Sequence, residues 1–434
     1  MAEEKLSSRI IESVLFPKIF QTFRMAIHPG KLIVALAAVL LICLTGWIMD
    51  LNKTVVTTDT ENELKMYMQD PAQVQHYIET SEENARFTGV FSTLWRFGSA
   101  RFHRALTCLF AFNLPGVANN IAEYFKAITW AARYHFFYTL LFVAVKLAVI
   151  SIAGGAICRM AALQFAKGEK LGLTESVTFS LKRFLSFFTA PLVPVAIIVV
   201  LALLTALLGL LGNIPWLGEL IMGIFTVLAL LAGLLITIIS IGTVAGFNLM
   251  FPAVAYDGSD CFDAISRSFS YIYTRPWRMG FYTGIAAVYG AICYTFVRFF
   301  AFLILWSAHA SLQLGVLVSD SSKQLNKLAA IWPQPAFMNL VGSCPSVTMN
   351  WSESVASFLI YLLLLLVVGL VVAFVISFYF TANTIIYALM RNRVDNTSLD
   401  DIYTDRSDFQ QTPAADEDNS AAPQPPEPPA ASGA

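Results

Sequence analysis

Long uncharged apolar runs recur along the chain, separated by polar segments of very unequal length. A helix needs about 20 mainly apolar residues to cross a bilayer. Residues 32–49 lie uncharged between Lys31 and Asp50, and 136–158 are apolar except for Lys146. No charge occurs between Arg183 and Glu219, or between Glu219 and Asp257. The first of these two stretches ends in a turn containing Gly212, Asn213 and Pro215. It predicts spans over 187–211 and 219–247. Two further runs predict spans over 279–306 and 354–380. The expected fold is all-α: a polytopic membrane protein whose six helices form three repeated hairpins with amphipathic helices at the membrane interface.

Basic residues cluster beside alternate ends of these runs. Lys5, Arg9, Lys18, Arg24 and Lys31 precede the first. Arg159, Lys167, Lys170, Lys182 and Arg183 follow the second, and Arg267, Arg275 and Arg278 follow the fourth. Arg391 and Arg393 follow the sixth. By the positive-inside rule these segments and both termini are cytoplasmic, which implies a multi-pass protein of the cell inner membrane. The first long apolar run starts only at residue 32 and lacks a small-residue cleavage site, so no signal peptide is expected. Residues 1–31 form a leader. Within 8–27, Ile11, Val14, Leu15, Ile19 and Phe23 recur at helical spacing, the pattern of an amphipathic helix lying at the interface.

The leaders before spans one, three and five look alike. Aligning Ser180 with Ser268 also matches Glu175 to Asp263 and Leu181 to Phe269. Pro29 and Lys31 share the spacing of Pro276 and Arg278 at the membrane entry. Repeats of this kind often carry a site at their interface. The bland alternative is that any interfacial leader needs apolar residues, a serine and a basic stop.

Residues 50–135 predict an extracytoplasmic helical insertion. A polar helix-prone stretch at 60–85 precedes two amphipathic runs, one through Phe87, Val90, Phe91, Leu94, Trp95, Phe102, Leu106, Leu109 and Phe110, the other through Val117, Ile121, Phe125 and Ile128. Such runs are expected on the bilayer interface; a partner-binding surface is the sharper alternative. Residues 308–352, with Pro333, Pro335 and Pro345, read mostly as loop. The region 391–434 reads as a cytoplasmic tail. From Thr404 it is rich in Pro, Ala, Ser and acidic residues, a composition that cannot build a core and predicts disorder.

Composition agrees with the pattern. The chain has 434 residues, 57% hydrophobic and 13% charged, against about 25% charged in soluble domains. Net charge is −1, without the basic excess that nucleic-acid binding requires. Membrane lipids are therefore the expected partners, nucleic acid is not, and a homo-oligomer is allowed. The six cysteines form no CxxC pair. Cys43, Cys158 and Cys293 read as small core residues. Cys108 and Cys344 fall outside the membrane and could pair in an oxidising compartment or remain free thiols.

Motifs for chemistry are sparse. The stretch Gly168-Glu169-Lys170-Leu171-Gly172 lacks the spacing of a phosphate loop. No HExxH, no paired histidines and no GxSxG elbow occur, so no catalytic residue, metal site or cofactor is expected. Lys146 is the anomaly. It lies near the bilayer midplane, where a lysine costs roughly 2.5–3.5 kcal/mol on insertion scales. It reads either as a cation site for an anionic solute or lipid headgroup, or as a structural lysine bonded to carbonyls and hydroxyls or snorkelling. Arg298, about 28 Å beyond Met279 along a helix, is a second candidate binding residue with an ordinary reading as an interface snorkel. Asn248 and Asn383 read as polar caps at helix ends.

The closing stretch Thr384-Ile385-Ile386-Tyr387-Ala388-Leu389-Met390-Arg391, with Val394-Asp395 and Asp400-Asp401-Ile402-Tyr403, resembles uncharacterised six-span inner-membrane proteins of planctomycete-type bacteria. That resemblance covers most of the chain and implies no activity. Ala264-Ile265-Ser266-Arg267-Ser268-Phe269 resembles, over one hairpin, the leader in the membrane domain fused to some glycerophosphodiester phosphodiesterases. The catalytic domain of those enzymes has no counterpart here, so their activity is not implied. The expected role is a non-enzymatic scaffold or lipid-interacting membrane component. The alternative is a transporter for an anionic solute or lipid with a cavity near Lys146.

Overall fold

The computed structural model describes residues 15–58, 62–81, 86–315, 319–320, 325–342 and 350–404. A 3-10 turn, Phe16–Gln21, leads into α1 (Thr22–Ala26) and the first span, α2 (Pro29–Met49). An insertion follows, made of β1 (Val55–Thr57), α3 (Glu63–Gln69), α4 (Val74–Ser81), β2 (Arg86–Thr88), α5 (Val90–Phe110) and α6 (Leu114–Tyr134). Then come α7 (Phe136–Ala166), α8 (Leu173–Lys182), α9 (Phe184–Thr189), α10 (Leu192–Leu211), α11 (Leu217–Asp257), α12 (Cys261–Thr274) and α13 (Pro276–Gly315). A two-residue ladder, β3 (Ser319–Asp320) with β4 (Leu325–Asn326), α14 (Lys327–Ile331) and α15 (Trp351–Val394) complete the described chain. Helices α2, α7, α10, α11, α13 and α15 are long and apolar enough to cross a membrane. The protein is an all-α, multi-pass membrane protein. Trp47, Trp216, Trp277 and Trp351 are exposed near span ends, where amphipathic aromatic rings favour the headgroup level.

The spans are longer than the apolar runs that mark them. The α15 helix has 44 residues, which is roughly 66 Å at 1.5 Å per residue, against a hydrocarbon core of about 30 Å. The helices α7, α11 and α15 continue past 158, 247 and 380 because protein, rather than lipid, buries their last turns. There the three helices pack directly on one another. Ala156, Ala161, Ala253, Ala255, Ile385 and Leu389 are fully buried. Small residues set the spacing. A Cβ added at Gly154 would sit 2.5 Å from the Phe380 ring, and one at Gly155 would sit 2.8 Å from the Phe187 ring. This end of the bundle carries the short helices α1, α8 and α12 and is called the basic end below.

Each short helix turns back onto the span that precedes it in the packing. Ser180 of α8 donates to the carbonyls of Ser151 (3.1 Å) and Ile152 (2.8 Å) in α7. Phe269 and Ile272 of α12 cover Gly242 and Gly246 of α11. The first leader does the same to the last span: Ser377 of α15 donates to the Ala26 carbonyl at 2.7 Å, and Phe23 meets Phe374 edge-on.

The first leader, where described, is a 3-10 turn and a five-residue helix. Pro17 and Pro29 each lack the N–H a continuous helix would use. Ile19 and Ala26 are fully buried, so the leader is wedged into the bundle rather than laid on its surface. Asn248 and Asn383 lie inside α11 and α15, and Asn248 accepts from the Tyr379 hydroxyl at 2.5 Å. Both helices continue past them, and Asn383 is buried within α15. The span expected over 187–211 starts at Leu192, after the separate short helix α9. Residues 8–14, Cys344 and the tail beyond 404 lie outside the described residues.

The insertion 50–135 is helical as expected, with its own small core of Val55, Leu64, Val90, Ala127, Trp130 and Ala131. It is not merely spread over the bilayer. Asp50, ending α2, accepts from the backbone N–H of Phe91 (2.9 Å) and Ser92 (2.8 Å) at the start of α5. Leu106, toward the other end of α5, packs with Tyr294, Ala301 and Val371 of α13 and α15. In contrast, the apolar windows of α10 and α11 are almost wholly unburied; α10 packs chiefly on α11, whereas α11 also meets α7, α12 and α15.

Candidate functional site

The densest polar cluster lies at the basic end, where α11 and α15 finish. Asp257, the last residue of α11, is met by two arginines and a tyrosine. Arg391 Nε lies 3.1 Å from one carboxylate oxygen; Arg267 Nη1 lies 3.2 Å from the other, which also accepts from the Tyr387 hydroxyl. Arg267 pairs with Asp263 one turn earlier in α12, at 2.9 Å. Arg391 also bonds Asp401, through the carboxylate at 3.0 Å and the carbonyl at 2.5 Å. The Tyr271 hydroxyl donates to Asp395 at 2.5 Å. Burial first, and then the Asp395 carboxylate, hold the Tyr271 phenol well above its ordinary value, so it remains a donor.

The segment after α15 is strapped across this cluster. Tyr403 N–H donates to the Tyr256 carbonyl at 3.0 Å, and the Tyr256 hydroxyl donates to the Leu399 carbonyl. Arg183 donates to the Gly258 carbonyl and lies over the Tyr403 ring. Gly258 has φ +63°, and a Cβ there would also strike Tyr403. Arg159 is wholly buried, donating to the Ala255 carbonyl at 2.9 Å and stacked 4.4 Å over Phe179. Lys31, a flanking charge by sequence, is 1% exposed and donates to Gln164 Oε1 at 2.8 Å. Charge meets countercharge or carbonyl throughout, which is the arrangement of a lock between helices.

Lys146 stands apart. It is half-buried on α7, and no hydrogen bond or ion pair joins it to another described residue. Thr139, two turns earlier on the same face, has a buried hydroxyl without a described partner.

Arg298 does not snorkel. It is 8% exposed, and its donors reach the Phe337 carbonyl (3.0 Å), the Met338 carbonyl (2.9 Å), the Tyr294 hydroxyl (2.7 Å) and His103 Nε2 (2.5 Å). The loop through Phe337 and Met338 folds back to supply two acceptors where a headgroup-facing side chain was expected. Arg298 and Lys146 are not brought together by any described contact.

No family model, curated protein or solved structure matches the chain. The geometry therefore stands on its own. Among the described residues, no group of His, Cys, Asp or Glu could hold a metal ion. Cys158 and Cys293 are buried, and Cys108 is a free thiol within 3.9 Å of Asn120.

Sequence reasoning missed Asp257, Arg267, Tyr271, Lys31, Arg159 and His103 as linked residues. The stretches through Tyr387, Arg391 and Asp401, and through Arg267, did carry the resemblances, so their unusual density of polar groups was visible. Their pairing was not.

Proposed function

We propose that the protein is a non-enzymatic, lipid-interacting scaffold of a bacterial inner membrane, built from three copies of one hairpin, with both termini cytoplasmic. The observation that carries this reading is the closure at the basic end. The short helices α8 and α12 each grip the preceding span, and the first leader grips the last span, so the three hairpins interlock in a ring. The charges within the ring satisfy one another, which supports a rigid, shape-presenting role over turnover of a substrate. The basic residues flanking this end support a cytoplasmic placement. The unburied α10–α11 hairpin supports extensive lipid contact.

A second reading, a transporter for an anionic solute or lipid, is favoured by one observation: Lys146 is half-buried without a described partner. Native mass spectrometry of the full chain in mild detergent tests both. The scaffold reading expects ordinary bilayer lipids that exchange freely and bind equally to Lys146→Met. A stoichiometric anion that co-purifies with wild type and is absent from Lys146→Met would overturn it in favour of transport.

A further inference from the structure

His103 sits midway along α5 and faces α13. Its Nδ1 lies 2.7 Å from the Ser99 carbonyl, which can only accept, so Nδ1 carries the proton. Its Nε2 lies 2.5 Å from Arg298 Nη1, which can only donate, and 3.3 Å from the Tyr294 hydroxyl. Both partners therefore select the neutral imidazole with a lone pair on Nε2. Arg298 in turn holds the carbonyls of Phe337 and Met338. One imidazole lone pair thus completes a joint between the insertion, a span and the loop that carries Phe337 and Met338. Leu106, almost one turn on, adds apolar contact with Tyr294, Ala301 and Val371.

We propose that His103 is an acid-sensitive latch that holds the insertion 50–135 against α13 only while its imidazole is neutral. Protonation would place an N–H against the guanidinium, removing an acceptor and setting two cations in contact. The surroundings supply no compensation. From α13 the groups facing His103 are Arg298 and Tyr294. From α6, Glu123 is engaged by Arg101, and Tyr124 lies beside Gly98. The α15 residues packed beside Tyr294 and Leu106 are Val367, Val371 and Val375, none of them charged, and α5 itself adds Arg101 and Arg104. Among the described residues, no carboxylate bonds His103.

The sign follows from linkage. Burial first, and then the Arg298 charge, lower the His103 pKa; the Ser99 carbonyl opposes them in part. The undocked imidazole titrates near 6.5. The undocked state therefore binds more protons over the interval just below that value. Docking is complete above about pH 7 and weakens as pH falls from about 6.5 through the lowered docked value.

Hydrogen exchange on the full chain in nanodiscs, from pH 8.0 to 5.0 and corrected for intrinsic exchange, tests this. In wild type, protection across 91–110 and 333–342 should fall about tenfold or more, with a midpoint below pH 6.5. Unchanged protection down to pH 5.0 would overturn the proposal without recourse to any variant. His103→Gln keeps an acceptor for Arg298 but cannot titrate, and should hold its protection across the range. A variant that still loses protection on acidification would assign the effect elsewhere, for example to His135, which lies 3.4 Å from Glu63 inside the insertion, and would equally overturn the latch.

Discussion

Replacing Asp257 with alanine should destabilise the basic end far more than any other single carboxylate change. Removing one partner of a buried ion pair costs about 3–5 kcal/mol, because the remaining charge stays buried without its counterion. Asp257 has 7% of its side chain exposed and serves Arg391, Arg267 and Tyr387 together. Each arginine keeps another partner, Asp401 for one and Asp263 for the other. The cost should therefore fall toward the lower bound, about 3 kcal/mol, which is roughly a hundredfold in local opening. Asp263, whose side chain is 44% exposed, makes the natural control. An exposed pair is worth about 0–1 kcal/mol, so Asp263→Ala should be nearly silent. Thermal unfolding in detergent, with hydrogen exchange over 385–394, reads both. A cysteine placed at Ile402, now buried, would also become reactive in the Asp257→Ala background. The double variant Asp257→Ala with Arg391→Met should cost less than the sum of the singles, because it removes an orphaned charge along with its partner. Equal effects of Asp257→Ala and Asp263→Ala, or additive singles, would refute the lock.

Gly155→Leu should disrupt packing by at least the 1–3 kcal/mol typical of overpacking, since Ser180 and Phe187 already fill that space; Gly209→Leu, in open surroundings, should not, and similar melting temperatures for the two would contradict the packing. Lys146→Met should insert at least as well as wild type and be neutral or stabilising, because the ammonium has no described partner to lose; a marked drop in melting temperature would show that it holds neighbouring groups together. Alkaline phosphatase fused after residue 80 or 330 should be active and after 172 or 395 inactive; an active fusion at 172 would overturn the proposed orientation.

Crossings were legible because charge is excluded from lipid, a rule that acts residue by residue. Where the helices end was not legible, because beyond the bilayer a different burial takes over. Past residue 247, α11 contains Asn248, Pro252 and Asp257, a composition that reads as a helix end in isolation. It continues because Leu249, Ala253 and Tyr256 are buried against neighbours distant in sequence. The leaders α8 and α12 followed from local pattern, since each packs on the span just before it. The first leader did not, since its partner is the last span. Arg298 shows the same limit. Its environment is set by the loop carbonyls of Phe337 and Met338, about forty residues away, which no local pattern announces.

The ring closure also orders assembly. Ser180 meets carbonyls 28 and 29 residues earlier, so α8 can settle as soon as α7 is in place. Ser377 meets Ala26 across 351 residues. That contact cannot form until α15 is in place, and closing so long a loop adds an entropic cost that the contact between α7 and α8 does not carry. Until α15 arrives, Ile19, Met25 and Ala26 of the leader, and the glycine-bearing face of α7 that Phe380 covers, lack their final cover. The polar lock imposes the same order, because Asp257 waits for Arg391 and Tyr387 on α15, and the strap closes over it afterwards. The last span is thus both a membrane crossing and the element that completes the core for the other two hairpins. That accounts for its composition: the stretch 362–372 is aliphatic apart from Gly369 and mostly unburied, while the half from Ala373 to Arg391 is densely buried and carries Ser377, Thr384, Tyr387 and Arg391 for bonding to protein.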